Sequence, residues 1–373
     1  MATALENIKI LDFSRVLAGP LATMVLADLG AEVIKIERPN IGDDTRAWGP
    51  PYDERGEATY FQSVNRNKTS EAIDLTTSAG AARAREIALE ADVVVENFRP
   101  GVMQKLGLDY AALSESNAGL VYCSITGFGT GEGAALPGYD LLVQAVGGLM
   151  SITGTPDGEP QKAGVALVDV ITGLFAAVGI LAALRHRERT GVGQVVEVDL
   201  LSCLLAALVN QGSAYTLAGA VGSRLGNAHP SIAPYELYPT GDGDLVLAVG
   251  NDKQFDSLCN VVGLAIDPLF ATNALRVENR DALREALVNA LAGRAASEWV
   301  SLLSEVGVPA GLVNDIAGAF AFADSLGLQP TIEVPREDGS LARLTRNPIA
   351  MSATPPTYRN APPALPVEPN AVS

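Results

Sequence analysis

One acidic residue is stranded in a long apolar run. From Gly164 to Leu184 the sequence reads GVALVDVITGLFAAVGILAAL, and Asp169 is its single charge. If a helix starts near Val168, this carboxylate sits in the first turn, where unpaired N–H groups and the helix dipole favour an anion. Two roles fit such a place. One is a helix cap or a buried acid satisfied by backbone; the other is a nucleophile or general base in a dry pocket. Arg38 directly follows one apolar run, and Asn97-Phe98-Arg99-Pro100-Gly101 closes another. A guanidinium at a strand end can hold a phosphate or stack on a base, although a solvated surface Arg is an equal alternative. His229 lies in Gly226-Asn227-Ala228-His229-Pro230, a loop that could offer a catalytic imidazole or a histidine of no special role. Gly127-Phe128-Gly129-Thr130-Gly131 and Gly147-Gly148 permit a ligand close to backbone.

With His 2 and Cys 3 in the whole chain, chemistry based on a histidine cluster is excluded. Cys123, Cys203 and Cys259 are widely spaced, so neither a disulfide framework nor a structural zinc site is expected, and no metal ligands are assigned. Reduced thiols point to a cytoplasmic location. Glu6, Lys9 and Asp12 interrupt the first dozen residues, which predicts no secretory leader.

The elements that must position these residues follow from two periods. Ile8–Phe13, Ala31–Glu37, Thr69–Leu75, Ala91–Phe98, Leu120–Ile125 and Gln194–Val198 read as strands. Leu21–Leu29 and Ser78–Glu90 read as helices between them, with Gly19-Pro20 just before the first. Strand–helix–strand alternation with apolar strands argues for a doubly wound α/β domain. Ala18-Gly19-Pro20 stands where a dinucleotide-binding fingerprint would be, so that fingerprint is absent. Helices dominate Pro137 to Gly219. Thr240-Gly241-Asp242-Gly243 marks one hairpin and Glu337-Asp338-Gly339 a second, with helices at Lys253–Val262, Arg280–Ala292 and Ser297–Val306 between them. The tail beyond Pro355 reads as extended.

At 373 residues the chain is long enough for about two domains. Lys+Arg 26 against Asp+Glu 43 gives a net charge of −17. Nucleic acid is therefore not expected as a partner, because phosphate binding needs basic surface. A few local cations can still bind a small anion within a negative field. The Gly164–Leu184 run, at 1.5 Å per residue, would span roughly 30 Å, close to a bilayer core. Asp169 would cost about 2.5–3.5 kcal/mol there, so no membrane span is expected and a helix buried on all sides is the reading.

Taken in order, these segments form a longer pattern. It comprises Ile10-Leu11-Asp12-Phe13-Ser14 with Ala18-Gly19-Pro20, then Asp28-Leu29-Gly30-Ala31-Glu32-Val33-Ile34-Lys35-Ile36-Glu37. Asn65-Arg66-Asn67-Lys68, Val95 to Gly101, Gly138-Tyr139-Asp140, Thr153-Gly154 with Asp157-Gly158, and Gly173 through Arg185 with Thr190 to Gln194 complete it. From Leu5 to about Pro363 the sequence resembles the family III CoA-transferases, the group of formyl-CoA transferase, carnitine CoA-transferase and α-methylacyl-CoA racemase.

The resemblance implies a Rossmann-like, doubly wound large domain over 1–220, completed by 320–373, and a small α+β domain over 225–318. It implies an interlocked homodimer. The family's catalytic aspartate falls on Asp169. Positions matching CoA contacts are Val16, Ala18, Arg38, Asn97, Phe98, Arg99 and Met103, with Lys68 and Lys105 as further candidates. Tyr139, Asp140, Gln144, Asn227 and His229 are candidates on the side of the acid substrate. The implied reaction moves CoA from an acyl-CoA, with succinyl-CoA a candidate donor, to a small carboxylic acid, and needs no tightly bound cofactor. Aspartate would attack the thioester, pass through a mixed anhydride and then an aspartyl-CoA thioester. A carboxylate expected to be ionised at pH 7 needs no base. The racemase branch carries a His–Asp pair around the Gly-x-Asp segment, which here is Gly138-Tyr139-Asp140 without that histidine, and this favours transfer over the alternative of a 2-methylacyl-CoA racemase. A non-catalytic acyl-CoA-binding protein is the second alternative, and retention of Asp169 argues against it.

Overall fold

The computed structural model describes residues 3–265 and 267–366. Six short strands form one parallel sheet: β1 (Lys9–Asp12), β2 (Glu32–Glu37), β3 (Lys68–Ala72), β4 (Val93–Glu96), β5 (Val121–Thr126) and β6 (Val195–Asp199). Their order is β3-β2-β1-β4-β5-β6, the doubly wound arrangement in which strand order reverses beside β1. Alternation explains why both faces are covered. Ile10, Val93, Val95 and Cys123 face one core, while Leu11, Val94 and Tyr122 face the other.

The first core lies under α1 (Ala18–Asp28). The second lies under α3 (Ser78–Glu90), after the one-turn α2 (Thr59–Ser63). Gly19 and Pro20 belong to the first turn of α1, which starts at Ala18 rather than at the expected Leu21. Proline is tolerated there because first-turn N–H groups have no intrahelical acceptor. Gly19 is required by contact: a Cβ there would sit 2.2 Å from Ser14 Oγ. Short helices α4 (Val102–Leu106) and α5 (Tyr110–Ser114) follow β4, and α6 (Asp140–Val146) and α7 (Leu149–Ile152) follow β5.

The apolar run becomes α8 (Leu167–Thr190), which packs on α1. Its expected burial on all sides is corrected by the structure. Val168, Ala176, Ile180 and Ala183 are buried, whereas Leu174, Phe175 and Val178 are 48%, 45% and 63% exposed. The sheet and α1 cover only one face. Helices α9 (Leu200–Ala207) and α10 (Val209–Ala218) follow β6.

Two compact units result. The first runs through Leu149, takes in Lys162–Ala220 and resumes at Gln329; the second holds Met150–Gln161 and Val221–Leu328. The second is built on an antiparallel sheet of β7 (Tyr235–Pro239), β8 (Asp244–Ala248) and β9 (Ala310–Leu312). Helices α11 (Asp252–Val262), α12 (Asn273–Glu278), α13 (Arg280–Leu291) and α14 (Ala296–Glu305) enclose a core around Leu245, Phe255, Leu287 and Trp299. No residue of α15 (Ile316–Ser325) is buried.

The hairpin β10 (Thr331–Pro335) and β11 (Leu341–Thr345) and the following segment return to the first unit. Asp28, fully buried at the end of α1, anchors them. It accepts bonds from Arg66 Nε (2.9 Å) and Nη2 (2.6 Å), Asn67 Nδ2 (2.8 Å) and Asn347 Nδ2 (3.0 Å). The Asp28 and Asn65–Lys68 motifs therefore tie the C-terminal segment to the sheet.

Candidate active site

Asp169 lies in the first turn of α8, and the sequence around it explains its place. Gly173 is one turn further along the same face. A Cβ on Gly173 would meet the Ala18 carbonyl oxygen at 2.5 Å, so only glycine lets α8 approach the start of α1 this closely. A cavity of about 220 Å³ forms at this end of the sheet, lined by Val16, Ala18, Asn97, Phe98, Asp140 and Asp169 among others. Ligands of doubly wound folds bind beyond the carboxyl ends of the strands, where the order reverses, and this cavity is there.

A second carboxylate orders the helix start. Asp140 Oδ1 accepts from Val168 N (2.8 Å) and Asp169 N (3.2 Å), capping α8 from the neighbouring helix α6. Its Oδ2 accepts from Gln144 Nε2 at 2.6 Å, and Gln144 Oε1, fully buried, accepts from Ala163 N at 2.8 Å. Burial, with the charge of Asp140 added, pushes Asp169 up to about 7. This upward shift runs against the expectation of a carboxylate fully ionised at neutral pH. Tyr60, which the sequence reading overlooked, belongs to this neighbourhood. Burial and then the charges of Asp169 and Asp140 raise its phenol.

An apolar cleft of about 270 Å³ adjoins the cavity, with Ile36, Arg38, Ile73, Leu75 and Val102 in its wall. Arg15 and Phe98 line both spaces, and the guanidinium stacks 5.2 Å from the ring centroid. Arg38 is nearly half exposed; it donates to Gly42 O and pairs with Asp44 Oδ1 at 2.5 Å. The same carboxylate pairs with Arg15 Nη1 at 3.2 Å, so two guanidinium groups share one anion. Arg99 is exposed at the first cavity.

The other candidates divide. Tyr139 lines the first cavity and is largely exposed. Asn97 lines it too, but its amide is engaged by backbone: Oδ1 accepts from Arg15 N and Nδ2 donates to Arg15 O. Met103 packs in the core below Phe98, and Lys105 is exposed on α4; neither lines these two spaces. Lys68 lines neither of these two spaces. Its ammonium is enclosed, donating to Asp12 Oδ2 (3.1 Å), Pro20 O (2.9 Å) and Asn65 Oδ1 (2.9 Å). Burial holds it down at about 8 against the attraction of Asp12. Asn227 and His229 belong to the second unit, where the His229 ring tilts against Tyr235 and its Nδ1 accepts from Ser231 N.

Residues 5–367 match the model of CoA-transferase family III. The chain belongs to that family. The transferase is 45% identical to the succinate–glutarate CoA-transferase of Agrobacterium fabrum, over 97% of this chain and 92% of that one. It is 42% identical to the succinyl-CoA:glutarate CoA-transferase of Mus musculus, over 94% of this chain and 83% of the other. The crystal structure of a CaiB/BaiF family protein from Brucella suis superposes with a TM-score of 0.87 at 42% identity, covering 98% of this chain and 97% of that one. The protein is an enzyme that transfers CoA.

Proposed function

We propose that this transferase moves CoA from succinyl-CoA to glutarate or a similar small dicarboxylic acid, with Asp169 as the covalent carrier. One observation carries the reading: Asp169 opens into a cavity that adjoins an apolar cleft edged by arginine. Such a pair of spaces suits a long thioester with an anionic, aromatic far end. The thioester would lie in the first cavity, and the nucleotide end would reach toward Ile36, Ile73 and Arg38.

The carboxylate oxygen of Asp169 attacks the thioester carbonyl. The C–S bond breaks and CoA leaves as thiolate, forming a succinyl-aspartyl anhydride. Thiolate then attacks the aspartyl carbonyl, which releases succinate and leaves an aspartyl-CoA thioester. The acceptor carboxylate attacks that carbonyl and expels thiolate once more. Thiolate finally takes the acceptor's acyl group and frees Asp169. Each intermediate would hydrolyse in open water, so a carboxylate held partly buried is suited to the task. Its raised pKa is the consequence of that burial. CoA enters as substrate, and no tightly bound cofactor, nucleic acid or membrane takes part.

The working form is a homodimer in the cytoplasm, its chains interlocked as family resemblance implies. Support comes from apolar side chains left uncovered in the single chain: Leu174, Phe175 and Val178 on α8, Val209 and Leu217 on α10, and Phe322 on α15. Surfaces of this kind mark association sites.

The test is an acceptor panel. Purified enzyme with succinyl-CoA should yield glutaryl-CoA and succinate in equal amounts when glutarate is supplied, read by mass spectrometry. Loss of α-deuterium from a 2-methylacyl-CoA without change of acyl partner would identify a racemase instead. Absence of CoA exchange across the panel would leave only a binding role.

A further inference from the structure

Between β1 and α1 the backbone of Ser14, Arg15 and Val16 is held by side chains from four places. Ser14 N donates to Asp12 Oδ1 at 2.9 Å, and Lys35 Nζ, from β2, donates to Ser14 O at 2.7 Å. Asn97, just beyond β4, accepts from Arg15 N at 2.9 Å and donates to Arg15 O at 2.8 Å. Asp43, in the loop after β2, accepts from Val16 N at 3.4 and 3.3 Å through its two oxygens. Lys35 and Asp43 pair at 2.9 Å with both side chains fully buried. Thr45 fixes Asp43 further, donating from N (3.0 Å) and Oγ1 (2.8 Å).

At the centre of this clamp Val16 has φ +72°. A β-branched residue avoids that left-handed region, and such a conformation persists only where surroundings over-determine it. Glycine would make the same turn without strain. Val16 also lines the cavity that Asp169 lines. Strain and clamp thus coincide at the wall of the reactive space.

We propose that Asn97, Asp43 and Lys35 are positioning residues for CoA transfer: they hold Val16 in its left-handed conformation, so that Val16–Ala18 present a fixed wall to the acyl group at Asp169. The proposal rests on Asp169 being the covalent carrier. It assigns Asn97 to backbone geometry rather than to CoA contact.

Asn97→Ala and Asp43→Asn test it, measured beside wild type for kcat, KM of succinyl-CoA and amide exchange of residues 14–17. Asp43→Asn leaves Lys35 buried without its charged partner and can fail to fold. Asn97→Ala, at a half-buried loop position, keeps the test open. In Asn97→Ala, kcat should fall tenfold or more with KM within threefold of wild type, and the Arg15 and Val16 amides should exchange faster. Adding Val16→Gly to Asn97→Ala should recover most of the lost kcat, because glycine takes this φ unaided. A raised KM at unchanged kcat, unaltered kcat, or a loss that Val16→Gly leaves unrepaired would overturn the proposal. Wild type that transfers no CoA would instead remove the carrier reading. Exchange data still decide the clamp in that case, since an unprotected Val16 amide in wild type refutes it.

Discussion

At the scale of residues, the candidate site holds a pair of carboxylates in different settings. Asp140 uses both oxygens on the frame, binding the N–H groups of Val168 and Asp169 and the amide of Gln144. Asp169 keeps its carboxyl toward the cavity, and burial with the Asp140 charge raises it to about 7. With Asp169 as the proposed nucleophile, attack requires the ionised form, so the rate should rise with pH and level off above about 7. Asp140→Asn keeps an oxygen for the helix cap but removes the negative charge. Since that charge favours protonated Asp169, its removal should move the acid limb of the kcat profile to lower pH. Burial, the larger cause, remains, so the limb should stay above the range of a solvated aspartate. A limb that stays put or moves up would show that the pair is not electrostatically coupled in catalysis. Asp169 stood out in the sequence because it is the one charge in an apolar run. Its pKa did not, because that depends on Asp140, separated by a long stretch of chain and brought near only by the α6–α8 packing.

At the scale of elements, the approach of α8 to α1 decides whether Asp169 reaches the cavity. Gly173→Ala would place a methyl 2.5 Å from the Ala18 carbonyl oxygen, a rigid backbone atom. Overpacking of this kind costs about 1–3 kcal/mol. The displaced helix should lower kcat by about 10- to 100-fold, as small misplacements of reacting groups do. Gly164→Ala is the control, because nothing lies within 4 Å of a Cβ there. Equal activity in both variants would refute the close-approach argument. The strands, and the helix carrying Asp169, were legible because a parallel sheet buried on both faces needs apolar runs, and α8 needs an apolar face. The start of α1 was read three residues late because proline at a helix start looks like a break. The burial of Lys35 and Lys68 was not legible for a different reason. A lysine in a strand reads as an edge or a solvated position. That each is buried follows only from Asp12 and Asp43, whose charges, against the opposing effect of burial, raise Lys35.

At the scale of the whole molecule, a net charge of −17 coexists with apolar faces on α8, α10 and α15 that the single chain leaves bare. The proposed dimer would cover those faces. Interlocked chains cannot separate without unfolding, so dilution to nanomolar concentration in native buffer should leave twice the monomer mass in light scattering. A monomer peak, or rapid subunit exchange between tagged samples, would refute interlocking. The central claim of the proposed mechanism is covalent transfer through Asp169. Intact-mass and peptide mass spectrometry of enzyme quenched in acid during turnover with succinyl-CoA measures it most directly. The account predicts a CoA or succinyl adduct on the peptide containing Asp169, absent from Asp169→Ala, which should bind CoA yet transfer none. An Asp169→Ala enzyme that still transfers CoA, or an adduct on another residue, would contradict it.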